Sequence, residues 1–97
     1  MNSNIDVSIM KTLFRELWLQ SNLCTEPIEH IWFSLNEVAK STSNSSKEIN
    51  KYLNHLIEMG IVEKISDVPL LHQFTELGKR IKTESEVEKT IKKLDKH

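Results

Sequence analysis

Lys47, Asn50, Lys51, Asn54 and His55 recur at intervals of three and four residues, so a helix would set them on one face. Ammonium groups, carboxamides and an imidazole along one stripe can hydrogen-bond to phosphates and to base edges. The stretch from Ser45 to Gly60 supplies such a helix and marks both its ends. Ser45 and Glu48 stand at capping-box spacing, where each side chain satisfies an orphan amide of the first turn. Ile49, Tyr52, Leu53, Leu56 and Ile57 make the opposite, apolar face, and Met59 extends it. Gly60 stands where a left-handed residue closes a helix. An ordinary amphipathic helix with a solvated face carries the same pattern. The neighbouring elements decide between the two.

Ahead of this helix, Ser34-Leu35-Asn36-Glu37 is a second capping box, opening a short helix to about Ser41 whose apolar positions are Leu35, Val38 and Ala39. Thr42-Ser43-Asn44 makes a polar turn between the two. A short helix, a turn and a longer helix with a polar outer face is helix-turn-helix geometry. Behind it, Ile61 to Ile65 is β-branched and reads as a strand, Ser66-Asp67-Val68-Pro69 as a turn, and Leu70 to Phe74 as the returning partner. Thr75 caps a last helix with Leu77, Ile81, Val87, Ile91 and Leu94 on one stripe. Its mixed Glu and Lys residues read as a solvated surface.

The N-terminal part reads as a helix from Val7 to about Gln20, with Ile9, Met10, Leu13, Phe14, Leu17 and Trp18 at helical spacing. Ser21 to Glu29 is a connector containing Pro27, and His30 to Phe33 is an apolar run long enough for a minor strand. The class is mostly α with a small β-hairpin, flanked by N- and C-terminal helices, in one domain over residues 1–97. The first helix holds more apolar surface than a small domain needs, which predicts a homodimer through it, the C-terminal helix, or both.

The 97 residues carry 13 basic and 14 acidic groups, a formal charge of −1. No global field draws this chain to a polyanion, so such affinity would rest on local placement. Between Thr42 and His55 only Glu48 is acidic, against Lys47 and Lys51. The single cysteine, Cys24, makes no intrachain disulfide and fits a reducing compartment. There is no leader-like N-terminus, and no apolar run approaches the roughly 18 residues of a membrane span. A cytoplasmic protein, off the membrane, is predicted.

Other residue types suggest less. Cys24 lies beside Leu23 with no neighbouring cation and reads as a small hydrophobe. His30, His55, His72, His97 and Cys24 show no local metal-ligand spacing, so neither a metal nor a cofactor is predicted. Trp18, Trp32 and Phe14 could line a pocket between helical layers, but are expected in the core or a dimer seam. A Gly-rich phosphate loop, a Ser-His-Asp context and clustered carboxylates are all missing, so no enzyme is predicted.

Three segments resemble winged helix-turn-helix regulators of the MarR, PadR and ArsR-like groups. Phe33-Ser34-Leu35-Asn36-Glu37-Val38-Ala39 is similar to their strand-to-helix entry. Leu53 through Lys64 is similar to the recognition-helix end running into the wing, and Phe74-Thr75-Glu76-Leu77-Gly78-Lys79-Arg80-Ile81 to the segment after it. The resemblance covers roughly residues 31–82, leaving 83–97 as a C-terminal helix available for dimerisation. It implies a homodimeric DNA-binding transcriptional regulator with helix 46–59 in the major groove of double-stranded DNA. By position, Ser46, Lys47, Asn50, Lys51 and Asn54 would face DNA, with Thr42, Ser43 and Ser45 donating to phosphates from the turn. His55 and the wing's Lys64 complete the set. The wing departs from the resemblance: family wings usually carry Arg or Lys at the tip, where this chain has Asp67, Val68, Pro69 and two leucines. That keeps open an alternative, a winged-helix protein-protein interaction module without DNA binding.

Overall fold

The computed structural model describes residues 6–81 together with 86 and 89. Asp6 begins it as an N-cap, its carboxylate accepting from the amides of Ser8 at 2.8 Å and Ile9 at 3.4 Å. The helix it caps, α1 (Val7–Gln20), buries Met10, Leu13, Phe14 and Leu17 along one face. That face is covered within the chain itself. Ser21 then turns inward, its hydroxyl donating to the Trp18 carbonyl at 3.0 Å and accepting from the Cys24 amide at 2.9 Å. Around this buried hydroxyl, Asn22, Leu23 and Cys24 all hold positive φ, a conformation costing non-glycine residues roughly 1–2 kcal/mol each.

Two expectations about the next stretch are corrected. The first strand is β1 (Ile28–Glu29), not His30 to Phe33, and the following helix, α2 (Ile31–Thr42), starts three residues before the Ser34 capping box. Ser34 is therefore a buried helical residue and caps nothing. The reason is periodicity: Ile31, Leu35, Val38 and Ala39 lie on one inward face only if the helix already runs at Ile31. Trp32 and Phe33 then project outward. His30 precedes the helix in the left-handed region with no side-chain cap, and Ser43 closes it in the same region.

The central helix, α3 (Ser46–Glu58), begins and ends where its signals stand. The Ser45 hydroxyl accepts from the Glu48 amide at 3.1 Å, while the Glu48 carboxylate turns to Lys51 instead of completing the box. At the far end Gly60, with φ of 77°, allows the Ile61 amide to reach back to the Leu56 carbonyl and its own amide to reach Ile57, each at 3.0 Å. Ile49, Tyr52, Leu53 and Leu56 are buried.

The hairpin is longer than its pattern suggests. Strands β2 (Val62–Asp67) and β3 (Leu70–Phe74) pair up to Asp67 opposite Leu70, so only Val68 and Pro69 form the turn. A register shift at Ile65 accommodates the extra residue, with Lys64 opposite His72 and Ser66 opposite Leu71. β1 adds to the other edge of β3, giving an antiparallel sheet in the order β1-β3-β2.

Thr75 caps α4 (Glu76–Lys79), its hydroxyl accepting from the Gly78 amide at 3.1 Å. Here too the expected stripe is turned: Gly78 and Ile81 face inward while Leu77 is exposed. Gly78 must sit inward because it lies against the Ile61 carbonyl, where a side chain has no room. The helix ends at Lys79, and Arg80 and Ile81 are not helical. Glu86 and Lys89 are helical and exposed. The side chains of Val87, Ile91 and Leu94 lie outside the described residues.

The described part is thus mostly helical with a small three-stranded antiparallel sheet around one core. Phe14 of α1 meets Phe74 of β3 edge-on, with centroids 5.2 Å apart, joining the helical layer to the sheet. No helix among the described residues is long and apolar enough to cross a membrane.

Candidate nucleic-acid interface and adjoining groove

The helical period divides the polar side of α3 into an apex and a flank. Lys47, Lys51, Asn54 and Glu58 stand exposed, opposite the buried Ile49 and Leu56. Lys51 is tied to Glu48 at 3.2 Å, whereas Lys47 has no ionic partner among the described residues. Ser43 and Ser45 are exposed on the turn leading into the helix. Other candidate donors are engaged within the chain. Thr42 Oγ1 donates to the Val38 carbonyl at 2.7 Å, and Ser46 Oγ donates to Asn36 Oδ1. His55 is half-buried, with Nδ1 4.0 Å from Glu58 and Nε2 sealed off without a partner among the described residues.

Asn50 turns away from the apex. Together with Asn54 it lines a groove of about 380 Å³ between α3, the start of α2 and the hairpin. Ile31, Leu53, Ile57 and Leu70 supply its apolar lining. Trp32, 54% exposed, is the aromatic wall. Lys64 and His72 face it from the paired strands β2 and β3, opposite one another in register. Of the two places expected for Trp32, the core is excluded, because the helix starts early enough to point it outward; an exposed Trp32 is still compatible with a dimer seam. Trp18 is partly buried against the core, and Phe14 is inside it.

The two cationic candidates of the hairpin differ. Lys64 Nζ is 2.6 Å from Asp67 Oδ1, so its charge is partly neutralised at the wing. His72 is only 5% exposed, and burial, with the Lys64 charge second, pushes its pKa below the ordinary value. It is therefore a neutral imidazole near pH 7, and its Nδ1 has no hydrogen-bond partner among the described residues. Burial likewise pushes the Cys24 thiol up, away from the thiolate. Among the described residues no three of His, Cys, Asp and Glu converge on a metal site.

The groove has no signature in the sequence. Its walls come from positions 31–32, 50–57, 64 and 70–72, which only the folded sheet brings together. The one local signal is the i, i+4 pair Asn50 and Asn54. Comparison with models of protein families, with curated proteins and with solved structures gives no match.

Proposed function

We propose that this chain is a cytoplasmic winged helix-turn-helix protein that binds double-stranded DNA as a homodimer and regulates transcription. In this reading α2 and α3 are the helix-turn-helix, β2 and β3 the wing, and α3 enters the major groove. The observation that carries it is the exposed apex of α3, where Lys47, Lys51 and Asn54 stand beside the exposed turn residues Ser43 and Ser45. The sheet order β1-β3-β2, with the hairpin flanking α3, supports the same assignment. Lys47 and Lys51 serve phosphates, and Asn54 reads base edges with Asn50 at the groove margin.

The test is a titration of wild type, Lys47→Ala, Lys51→Ala and Asn54→Ala at two ionic strengths, on a selected duplex and a scrambled one. Lys47→Ala should lower the log–log salt slope by about 0.9 for each phosphate that a protomer no longer neutralises. Lys51→Ala should do less, because Glu48 already holds that ammonium. Asn54→Ala should cost about 1–3 kcal/mol on the selected site and little on the scrambled one. A folded wild type that binds no duplex at low salt defeats the reading.

The alternative, a protein-interaction module, is favoured by one observation: Phe33 is 72% exposed on α2, stacked edge-on against His30 at 6.1 Å. Phe33→Ser should leave duplex binding unchanged if DNA is the partner.

A further inference from the structure

The groove beside α3 holds an exposed indole, Trp32, and a buried imidazole, His72, that duplex binding does not use. An exposed indole, two carboxamides, an ammonium and an imidazole face a shared space, and no carboxylate is among the described residues that line it. We propose that this groove is a nucleotide-binding site that takes one unstacked purine nucleotide, its base on Trp32 and its phosphate at Lys64. The volume of about 380 Å³ is in the range of small-ligand pockets and suits one base with its sugar and phosphate.

Each side chain has a role in that chemistry. Indole faces hold unpaired bases by stacking, and Trp32 offers its ring at the groove wall without being needed in the core. Asn50 and Asn54, one helical turn apart, present carboxamides of the kind that pair with the N6/N7 edge of adenine. Neither has a side-chain partner within the described residues, so nothing need be displaced. His72 is the independent pointer. It lines the groove, 5% exposed, with Nδ1 sealed and without a hydrogen-bond partner among the described residues. A neutral imidazole accepts at one nitrogen and donates from the other, and with Nδ1 sealed the proposed site uses the tautomer protonated on Nε2. That N–H is the donor for an acceptor nitrogen of the base. Lys64 supplies the positive charge, and a phosphate competes with Asp67 for it.

The same chemistry is met in a free nucleotide and in a base splayed out from a single strand. Calorimetry on the full chain separates them, using adenosine 5′-monophosphate, adenosine, ribose 5-phosphate and a short oligo-dA strand. The monophosphate should bind more tightly than adenosine or ribose 5-phosphate. Trp32→Ala should weaken it at least about fivefold, the lower end of base–aromatic stacking. Lys64→Gln should remove its advantage over adenosine. Both side chains are at least half exposed, and circular dichroism confirms that the variants fold. Oligo-dA binding that also depends on Trp32 identifies a strand as the source, and binding of the monophosphate alone identifies the free nucleotide. Absence of binding by both, or equal binding by wild type and Trp32→Ala, overturns the proposal. Trp32 lies outside the duplex-binding set, so duplex titration of Trp32→Ala keeps the two readings distinguishable.

Discussion

A β-carbon on Gly78 would overlap the carbonyl oxygen of Ile61 and stand 2.9 Å from Phe74 Cδ1. Neither neighbour yields easily, the first being backbone and the second a core ring. Gly78→Ala should therefore cost about 1–3 kcal/mol or more, by urea denaturation. Gly60 has nothing within 4 Å of such an atom but holds φ at 77°. Gly60→Ala should cost only the backbone strain, about 1 kcal/mol. Equal losses at the two sites would mean that one of these causes is misassigned. His72 gives a pH prediction. Its folded pKa is lowered, so the unfolded chain takes up the proton first as pH falls below about 6.5. Stability is full above that value, declines as pH drops through the folded pKa, and then levels off. His72→Gln should flatten this part of the pH profile of the denaturation midpoint. An unchanged slope would remove His72 as its source.

Leu56 is fully buried on α3, so Leu56→Ala should cost about 2–5 kcal/mol. A loss below about 0.5 kcal/mol would be that of a surface change. Ser45→Ala removes the acceptor for the Glu48 amide and should cost about 1 kcal/mol, read from the same denaturation curves. The legibility of the elements follows from where their signals lie. α3 is readable because Ser45 and Gly60 act within a turn of the residues they terminate. α2 is misplaced by its pattern because its true start, His30, is left-handed and uncapped, while Ser34-Leu35-Asn36-Glu37 imitates a start in mid-helix. β1 has two residues and exists by pairing with Leu71 and His72, about forty positions away. Such pairing leaves no local pattern. The groove is hidden for the same reason. The apex of α3 is visible as a stripe, but the hydrogen bonds that occupy Thr42 and Ser46 are not.

At the scale of the molecule, the apolar surplus that suggests dimerisation through the first helix has another owner. Met10, Leu13, Phe14 and Leu17 are all taken up in the chain's own core. If the chain dimerises as proposed, the first helix has Ile9, Trp18 and Leu19 left to offer a seam, while the sequence of the C-terminal stretch sets Ile91 and Leu94 at helical spacing. Ile91→Asp with Leu94→Asp should then give a monomer by sedimentation. A wild type already monomeric at high concentration defeats this.

The two ends of the hairpin are fastened to each other. The Thr75 amide donates to the Ile61 carbonyl at 3.0 Å, its hydroxyl donates to the Gly60 carbonyl, and Gly78 closes on Ile61. The far end carries Val68, 92% exposed. Mechanically this is a beam clamped at its root, with its ladder interrupted at the Ile65 bulge. The arm beyond that bulge is about 7 Å of strand, Ser66 and Asp67 at some 3.3 Å each, before the turn at Val68. Lys64 sits on the rooted side and Asp67 on the moving side. Any deflection of the arm would therefore stretch their ion pair, and Leu70, on that same arm, would carry part of the groove wall with it.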